Sequence, residues 1–333
     1  MLRLDPIFTS HGVFAAQKPI RVYGTGDGTG EISFAGQTRK AEASEGKWLV
    51  EFPPMEYGGP YTLTARFDGT ETQLEDLYIG EVYLMGGQSN MQFKLRESTY
   101  PADRVTGDPM VRLFTAPRPE EEPYTPADGW VVSTTENAPD WSAIAYHVGM
   151  MRAEKGIAIG LIACYQGASV IESWLPEGTA ASLGIFIPEE HRNCNRLTTK
   201  YNFNGDGMLY HFALETLFPY SLTAVVWYQG ESNRGPEESV YYKPLLTEFI
   251  AHCRKEFRDE ALPWVEIQIA DFDQDTRIGW KNIQKAQYEI QFEVPGVKTV
   301  ICADVCESND IHPVTKIHLA RRAVDALAQL CEE

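Results

Sequence analysis

The chain has 333 residues, of which 43% are hydrophobic and 23% are charged, with 29 Lys and Arg against 47 Asp and Glu. The formal net charge of −18 argues against nucleic acid or an anionic membrane surface as partner, because both bind through basic patches. Six scattered cysteines indicate no disulfide framework and no zinc pattern. No apolar run approaches the roughly 20 residues of a membrane span, so we expect a cytoplasmic protein, or a secreted one if a signal peptide has been removed.

The first 78 residues are predicted to form a small domain of β-strands. Short apolar runs such as "PIRVYG", "GEISFAG", "KWLVEF" and "YTLTARF" are separated by Gly, Asp and Pro clusters. This spacing is typical of an antiparallel sandwich. We therefore place an N-terminal β-sandwich domain at 1–78.

From residue 79 to residue 333 the pattern changes to strands that alternate with helices. The predicted strands are continuous apolar runs at 82–85, 111–114, 157–163, 222–228, 264–270 and 297–303. The predicted helices lie near 141–155, 206–218, 237–257, 280–292 and 315–330. Such alternation indicates an α/β domain with a central parallel sheet that is covered on both faces.

Three of these strands end in the same Gly-x-Ser pattern, with the serines at Ser89, Ser169 and Ser232. The carboxyl ends of parallel strands share one edge of a sheet, so the three turns are expected to converge on one site. Each serine alone could equally be a helix N-cap. The chain has no Gly-x-Ser-x-Gly elbow, which argues against the usual α/β-hydrolase.

A serine nucleophile needs a base, and His312 is the best-placed histidine. It stands in the polar stretch "ESNDIHPVTK", which follows the last predicted strand. A loop at the carboxyl end of that strand would hold the imidazole over the same edge of the sheet. The alternative is a solvated loop histidine.

Several longer motifs resemble one known family. They are "GGQSNM" at 86–91, "GASVIESW" at 167–174, "NGDGMLY" at 204–210, "VVWYQGESN" at 225–233 and "DIHP" at 310–313. In this order they resemble the SGNH hydrolase superfamily, specifically its sialate O-acetylesterase-like carbohydrate esterases. The resemblance covers nearly the whole chain. It implies that a flavodoxin-like three-layer sandwich with a central parallel sheet follows the small β-domain along the chain.

The resemblance implies that Ser89 is the nucleophile and His312 the general base. It also implies an oxyanion hole made of the Ser89 N–H, the Gly167 N–H and the side-chain amide of Gln229. Chemistry supports such a set, because a tetrahedral acyl intermediate needs donors aimed at its negative oxygen. Gln229 could instead only cap the next helix.

Other residues of these motifs are expected to contact the substrate. For two of them a structural role is the alternative, with Trp174 packing in the core and Glu172 anchoring hydrogen bonds. The predicted substrate-binding residues are Gln88, Asn90, Glu172, Trp174 and Glu231.

The superfamily usually places the aspartate that orients the base three residues before the histidine. In this chain that position is Asn309, and the aspartate follows one residue later as Asp310. We expect Asp310 in that role. A neutral group in a Ser-His dyad is the alternative, and Asp304 is a weaker candidate.

These features predict a serine esterase that removes O-acetyl groups from sugars, without metal or cofactor. The substrate would be an acetylated sialic acid or, alternatively, an acetylated plant glycan such as xylan. Family members commonly carry an Arg in the helix where this chain has Gln284 and Lys285. If that Arg holds a substrate carboxylate, its absence here favours neutral sugars over sialic acid. A non-catalytic carbohydrate-binding protein on the same fold is the competing hypothesis. A homo-oligomer is possible.

Overall fold

A computed structural model describes residues 1–118, 129–186, 203–275 and 277–331 of the chain. Its first eight strands are β1 to β8, at Arg3–Leu4, Val13–Ala15, Ile20–Thr25, Thr29–Phe34, Gln37–Glu42, Lys47–Phe52, Gly58–Phe67 and Thr70–Gly87. Six further strands, β9 to β14, lie at Val111–Thr115, Val131–Val132, Ile159–Tyr165, Ala224–Tyr228, Trp264–Ile267 and Val297–Val300. The helices α1 to α6 are Ser89–Gln92, Ala143–Ala153, Thr179–Ser182, Tyr242–Glu256, Ile278–Glu293 and Ile317–Cys331.

The N-terminal strands form two antiparallel layers, as the turn-rich sequence predicts. Strands β1, β3 and β6 make a three-stranded sheet, and β5, β4, β7 and β8 pair in that order. Aromatic rings join the two layers, with Phe34 against Phe52 at 5.9 Å and Trp48 against Phe67 at 5.4 Å. Strand β2 is the exception, because it pairs with β8 in parallel.

Strand β8 is shared between the N-terminal layers and the large sheet. Its first half pairs with β7, and its second half pairs with β11 and β12. The predicted boundary between residues 78 and 79 therefore lies inside one continuous strand of 18 residues.

The large sheet has the order β10-β9-β11-β8-β12-β13-β14, and all its neighbours are parallel except β10. The six predicted strands of this region are confirmed. Successive strands leave β8 in opposite directions, β11 on one side and β12 on the other, so the order reverses at β8. Ligands bind at such a reversal in open α/β sheets, outside the carboxyl ends of the strands.

Four of the five predicted helices are confirmed as α2, α4, α5 and α6. Helix α2 packs on α6, and α4 packs on α5. The fifth, predicted at 206–218, is instead two irregular helical turns at Tyr210–Leu214 and Glu215–Leu217. Gly207, with φ +71°, lies just before the first turn, and Phe218 leaves the second in extended conformation before Pro219, which explains the short segment.

Candidate active site

The three seryl turns meet at one edge of the sheet, as predicted. They follow β8, β11 and β12. The Gln88 side-chain oxygen accepts hydrogen bonds from the Gly230 N–H and from Gln229 Nε2, each at 3.2 Å. Gln229 Nε2 also donates to the Ser169 carbonyl at 2.9 Å. Buried side-chain amides thus fasten the first turn to the third and the third to the second.

Glycine is required where β8 turns into α1. Gly87 has φ +137°, and a Cβ at this position would lie 2.1 Å from the Tyr228 carbonyl oxygen on β12. Both the conformation and the close approach exclude other residues. The turn makes Ser89 the first residue of α1, where its side chain is half-buried and its N–H lies outside the helical ladder.

Ser89 and His312 are in direct contact. The hydroxyl Oγ of Ser89 lies 2.8 Å from Nε2 of His312, which is within the distance that a general base requires. The other two serines are buried, and Ser169 accepts a hydrogen bond from the Trp174 indole at 3.0 Å. Ser89 is therefore the serine of the three that meets this imidazole.

The surroundings of His312 favour a neutral imidazole. Burial lowers its pKa, and the charge of Lys316 lowers it further, whereas the carboxylates of Asp310 and Glu97 act in the opposite direction. Phe93 lies beside the ring, with the ring centres 6.4 Å apart. A neutral imidazole is the form that can accept the serine proton.

Asp310 contacts the backbone of His312 and not its ring. Its exposed carboxylate accepts a hydrogen bond from the His312 backbone N–H at 2.8 Å. Within the described ranges no hydrogen bond reaches Nδ1 of the His312 ring. The weaker candidate Asp304 is paired with Arg322 instead. The predicted orienting role of Asp310 stays a prediction, and its observed contact acts through the backbone.

The turns that carry the predicted backbone donors of the oxyanion hole are close together. A Cβ added at Gly167 would be 3.6 Å from the Cβ of Ser89, so the two turns nearly touch. The Gly167 N–H donates to Oε1 of Gln92 at 2.8 Å. Gln92 lies three residues after Ser89 in α1, and its amide oxygen occupies this predicted oxyanion-hole donor.

The geometry argues against Gln229 as the third donor. Its side chain is fully buried, and Nε2 faces three internal acceptors, on Gln88, Ser169 and Asn233. An amide nitrogen carries only two hydrogens, so none is left for a substrate. Its oxygen accepts from the Tyr242 hydroxyl at 3.0 Å. Gln229 thus holds the turns together through buried hydrogen bonds.

The five side chains predicted to bind substrate are all at most 3% exposed: Gln88, Asn90, Glu172, Trp174 and Glu231. Glu172 accepts from Asn233 Nδ2 at 2.8 Å, and Trp174 packs on Trp227. These contacts match the structural alternatives of anchor and packing. Direct contact with a sugar stays a prediction for the five. We call the buried side chains of Gln88, Glu172, Gln229 and Asn233 the site floor.

Sequence reasoning missed four residues around the site. Asn204 bonds Val170 N–H and the Ala168 carbonyl, which fixes the Gly167 turn. Asn233, Gln92 and Lys316 complete the set, the last through Asn90. Three of the four lie inside or next to the quoted motifs, and Gln92 shares a helix face with Ser89, which is the signal that could have found them.

The part of the chain that the structure describes has no group of three or more His, Cys, Asp or Glu side chains that could hold a metal ion. Its helices are all too short or too polar to cross a bilayer.

Comparison with known structures gives the class of protein. The fold is similar to that of a carbohydrate acetylesterase from Xanthomonas citri, with a TM-score of 0.85 and 26% sequence identity, over 100% of this chain and 76% of that chain. Among curated proteins, the sialate O-acetylesterases of mouse and human are 25% and 23% identical over 83% and 89% of this chain. The chain spans 63% and 64% of the length of these two relatives.

A family match is more specific. Residues 79–330 match the family described as "Carbohydrate esterase, sialic acid-specific acetylesterase". The chain belongs to this family of carbohydrate esterases.

Proposed function

We propose that this chain is a serine carbohydrate esterase that hydrolyses O-acetyl groups on sugars through Ser89 and His312. The observation that carries the proposal is the 2.8 Å contact between Ser89 Oγ and His312 Nε2 at the carboxyl edge of the sheet. Family membership supports the reaction class.

In the proposed mechanism, Ser89 Oγ attacks the acetyl carbonyl while His312 Nε2 takes the hydroxyl proton. The negative oxygen of the tetrahedral intermediate accepts from the N–H groups of Ser89 and Gly167, once the Gln92 side chain has moved off Gly167. His312 then protonates the departing sugar hydroxyl. Water, deprotonated by the same imidazole, attacks the acetyl-serine, and acetate leaves as Ser89 regains its proton.

We assign the larger unit to the SGNH-type, flavodoxin-like three-layer fold. Five parallel strands, β11-β8-β12-β13-β14, have the order 2-1-3-4-5 when numbered along the chain, which is the flavodoxin-like order, and β9 adds a sixth strand beside β11. The two helix pairs, α2 with α6 and α4 with α5, are as expected for one pair on each face. In this assignment the units 1–78 and 79–333 are joined through β8.

For the substrate we propose an acetylated sugar of the sialate type first, because the curated relatives are sialate O-acetylesterases. Acetyl xylan is the second candidate, and one observation favours it. Where an Arg was expected, Gln284 is buried and bonds the Ile269 carbonyl and Asp271, while Lys285 is exposed and pairs with Glu289. Neither side chain is set to hold a substrate carboxylate.

The competing hypothesis is a carbohydrate-binding protein without catalysis. It would need no contact between a hydroxyl and a base, so the Ser89–His312 pair favours the enzyme. Cytoplasmic location and a homo-oligomer stay predictions.

The test is acetate release from acetylated sialic acid, acetylated xylo-oligosaccharides and a small chromogenic acetate. We expect turnover of at least one of them, and a fall of about 10⁴-fold or more in kcat for Ser89→Ala. The matched control is Ser33→Ala, which removes a serine whose hydroxyl bonds Thr38 in an exposed contact on β4. No release by the wild type, or equal release by Ser89→Ala, would reject the proposal.

A further inference from the structure

A buried lysine adjoins the candidate site, and the helix that it precedes does not explain it. Lys316 is 1% exposed and caps α6, because its carbonyl accepts from the Ala320 N–H at 3.1 Å. The positive end of the helix dipole opposes a cation there. Burial lowers the pKa of Lys316 to about 8. Burial and the helix dipole both disfavour this ammonium, so its location points to another role.

The ammonium of Lys316 reaches the helix that carries the nucleophile. Nζ donates to Oδ1 of Asn90 at 2.5 Å, and Asn90 follows Ser89 directly. Nζ also lies 5.0 Å from the centre of the Phe93 ring and 5.6 Å from that of Tyr228, at distances typical of cation–π contacts. Lys316 itself comes four residues after His312 in the chain. Its backbone is therefore close in sequence to the base, while its side chain contacts the helix of the nucleophile.

Asn90 extends this connection to the base and to the third turn. Its Nδ2 donates to the Ile311 carbonyl at 2.9 Å and to Glu231 Oε1 at 2.5 Å. Both amide hydrogens are therefore used, and the oxygen is held by Lys316. The lysine fixes which way the amide faces, because an ammonium can only donate. A fixed Asn90 ties the residue before His312 to the residue after Ser89.

We propose that Lys316 is a positioning residue that sets the contact between Ser89 and His312 through Asn90. This inference rests on the proposed esterase function. Lys316 touches no reacting atom in this arrangement. It aligns the two that react, and its charge lies close to the imidazole.

The charge gives the proposal a readout that a structural role alone would not change. Besides burial, three charged groups act on the pKa of His312. Lys316 lowers it, and Asp310 and Glu97 raise it. Facing Lys316 are Glu231, Cys306, Cys302 and Glu307. With a pKa of about 8, Lys316 stays charged over the more acidic range in which His312, whose pKa is lowered, takes up its proton. Removing the charge raises the pKa of His312, so activity is lost at a higher pH on acidification.

The experiment compares kcat and kcat/KM from pH 4.5 to 8.5 for the wild type, Lys316→Met and the control Lys298→Met. The control removes a lysine whose ammonium bonds Gln329 in an exposed contact. For Lys316→Met we expect kcat to fall roughly 10- to 100-fold, as for a lost hydrogen bond to a charged group, with KM nearly constant. We also expect the acid limb of kcat/KM to move to higher pH. Lys298→Met should follow the wild type.

An acid limb and kcat equal to those of the wild type in Lys316→Met would overturn the inference. If that variant does not fold, Lys316→Arg decides, because a planar guanidinium keeps the charge but cannot replace a compact ammonium in this space. For Lys316→Arg we expect a lowered kcat and an acid limb of kcat/KM at the same pH as in the wild type. An unchanged kcat would overturn the inference. Failure of the esterase function itself appears separately, as acetate release that does not depend on Ser89.

Discussion

The two sides of the candidate site are built differently. The site floor, beneath the nucleophile, consists of buried amides and a carboxylate that bond one another and the backbone. The base loop, which we define as residues 305–315, holds its histidine with fewer and more exposed bonds, such as the Asp310 carboxylate on the His312 N–H.

This difference separates stability from rate. An unsatisfied polar group in the floor cannot turn to water, so it carries its full desolvation cost. A broken bond in the loop is replaced by water, and what changes is the position of His312 relative to Ser89. Floor substitutions should therefore unfold the protein, while loop substitutions should slow a folded enzyme.

The largest effect on stability is expected from Asn233→Leu. Asn233 Oδ1 accepts from Gln229 and from the Ile171 N–H, and its Nδ2 donates to Glu172. Three buried partners each lose the hydrogen bond that they make with Asn233, so the free energy of unfolding should fall by roughly 2–4 kcal/mol. Urea denaturation measures it.

The control for this prediction is Asn309→Leu in the base loop, where the side chain is exposed. Surface substitutions usually stay within about 0.5 kcal/mol. Equal destabilisation by the two leucines would remove the distinction between floor and loop.

A smaller effect is expected from Asp310→Asn. The amide oxygen of asparagine can accept the same His312 N–H, so kcat should fall less than about tenfold. A carboxylate that orients the imidazole directly is worth about 10⁴. Steady-state kinetics distinguish the two, with Asp310→Ala as the variant that also loses the backbone bond. A loss near 10⁴ for Asp310→Asn would show that the carboxylate moves onto Nδ1 during catalysis.

The smallest effect is expected from Gln92→Ala. The Gln92 oxygen accepts from the Gly167 N–H at 2.8 Å, and in the proposed mechanism a substrate oxygen replaces it there. Without this competition KM should fall about threefold, in line with the net free energy of one hydrogen bond. The matched control is Gln73→Ala, whose side chain bonds Glu71 in an exposed contact. A rise in KM would instead mean that Gln92 binds the substrate.

Sequence patterns were sufficient for the strands of the large sheet and for the convergence of the seryl turns. Apolar runs and Gly-x-Ser turns are local signals, and parallel strands place their ends together. The direction of a side chain at the end of a strand is not a local property. The sequence predicts the Gln229 amide in the oxyanion hole, but the acceptors on Gln88, Ser169 and Asn233 draw it inward.

Lys316 illustrates the same limit. Read along the chain, it is a polar residue just before a helix, and nothing local indicates that it is buried. Its partners on α1 and at Glu231 are distant in sequence and are brought near by the sheet order alone.

The most direct test of the Ser89–His312 account is labelling with a serine-reactive phosphonate, followed by mass spectrometry of the digested protein. We predict one adduct on Ser89 in the wild type, none in Ser89→Ala, and labelling slowed by about 10³-fold or more in His312→Ala, because the hydroxyl loses its base. An adduct on another serine, or labelling of Ser89 at an equal rate without His312, would contradict the account.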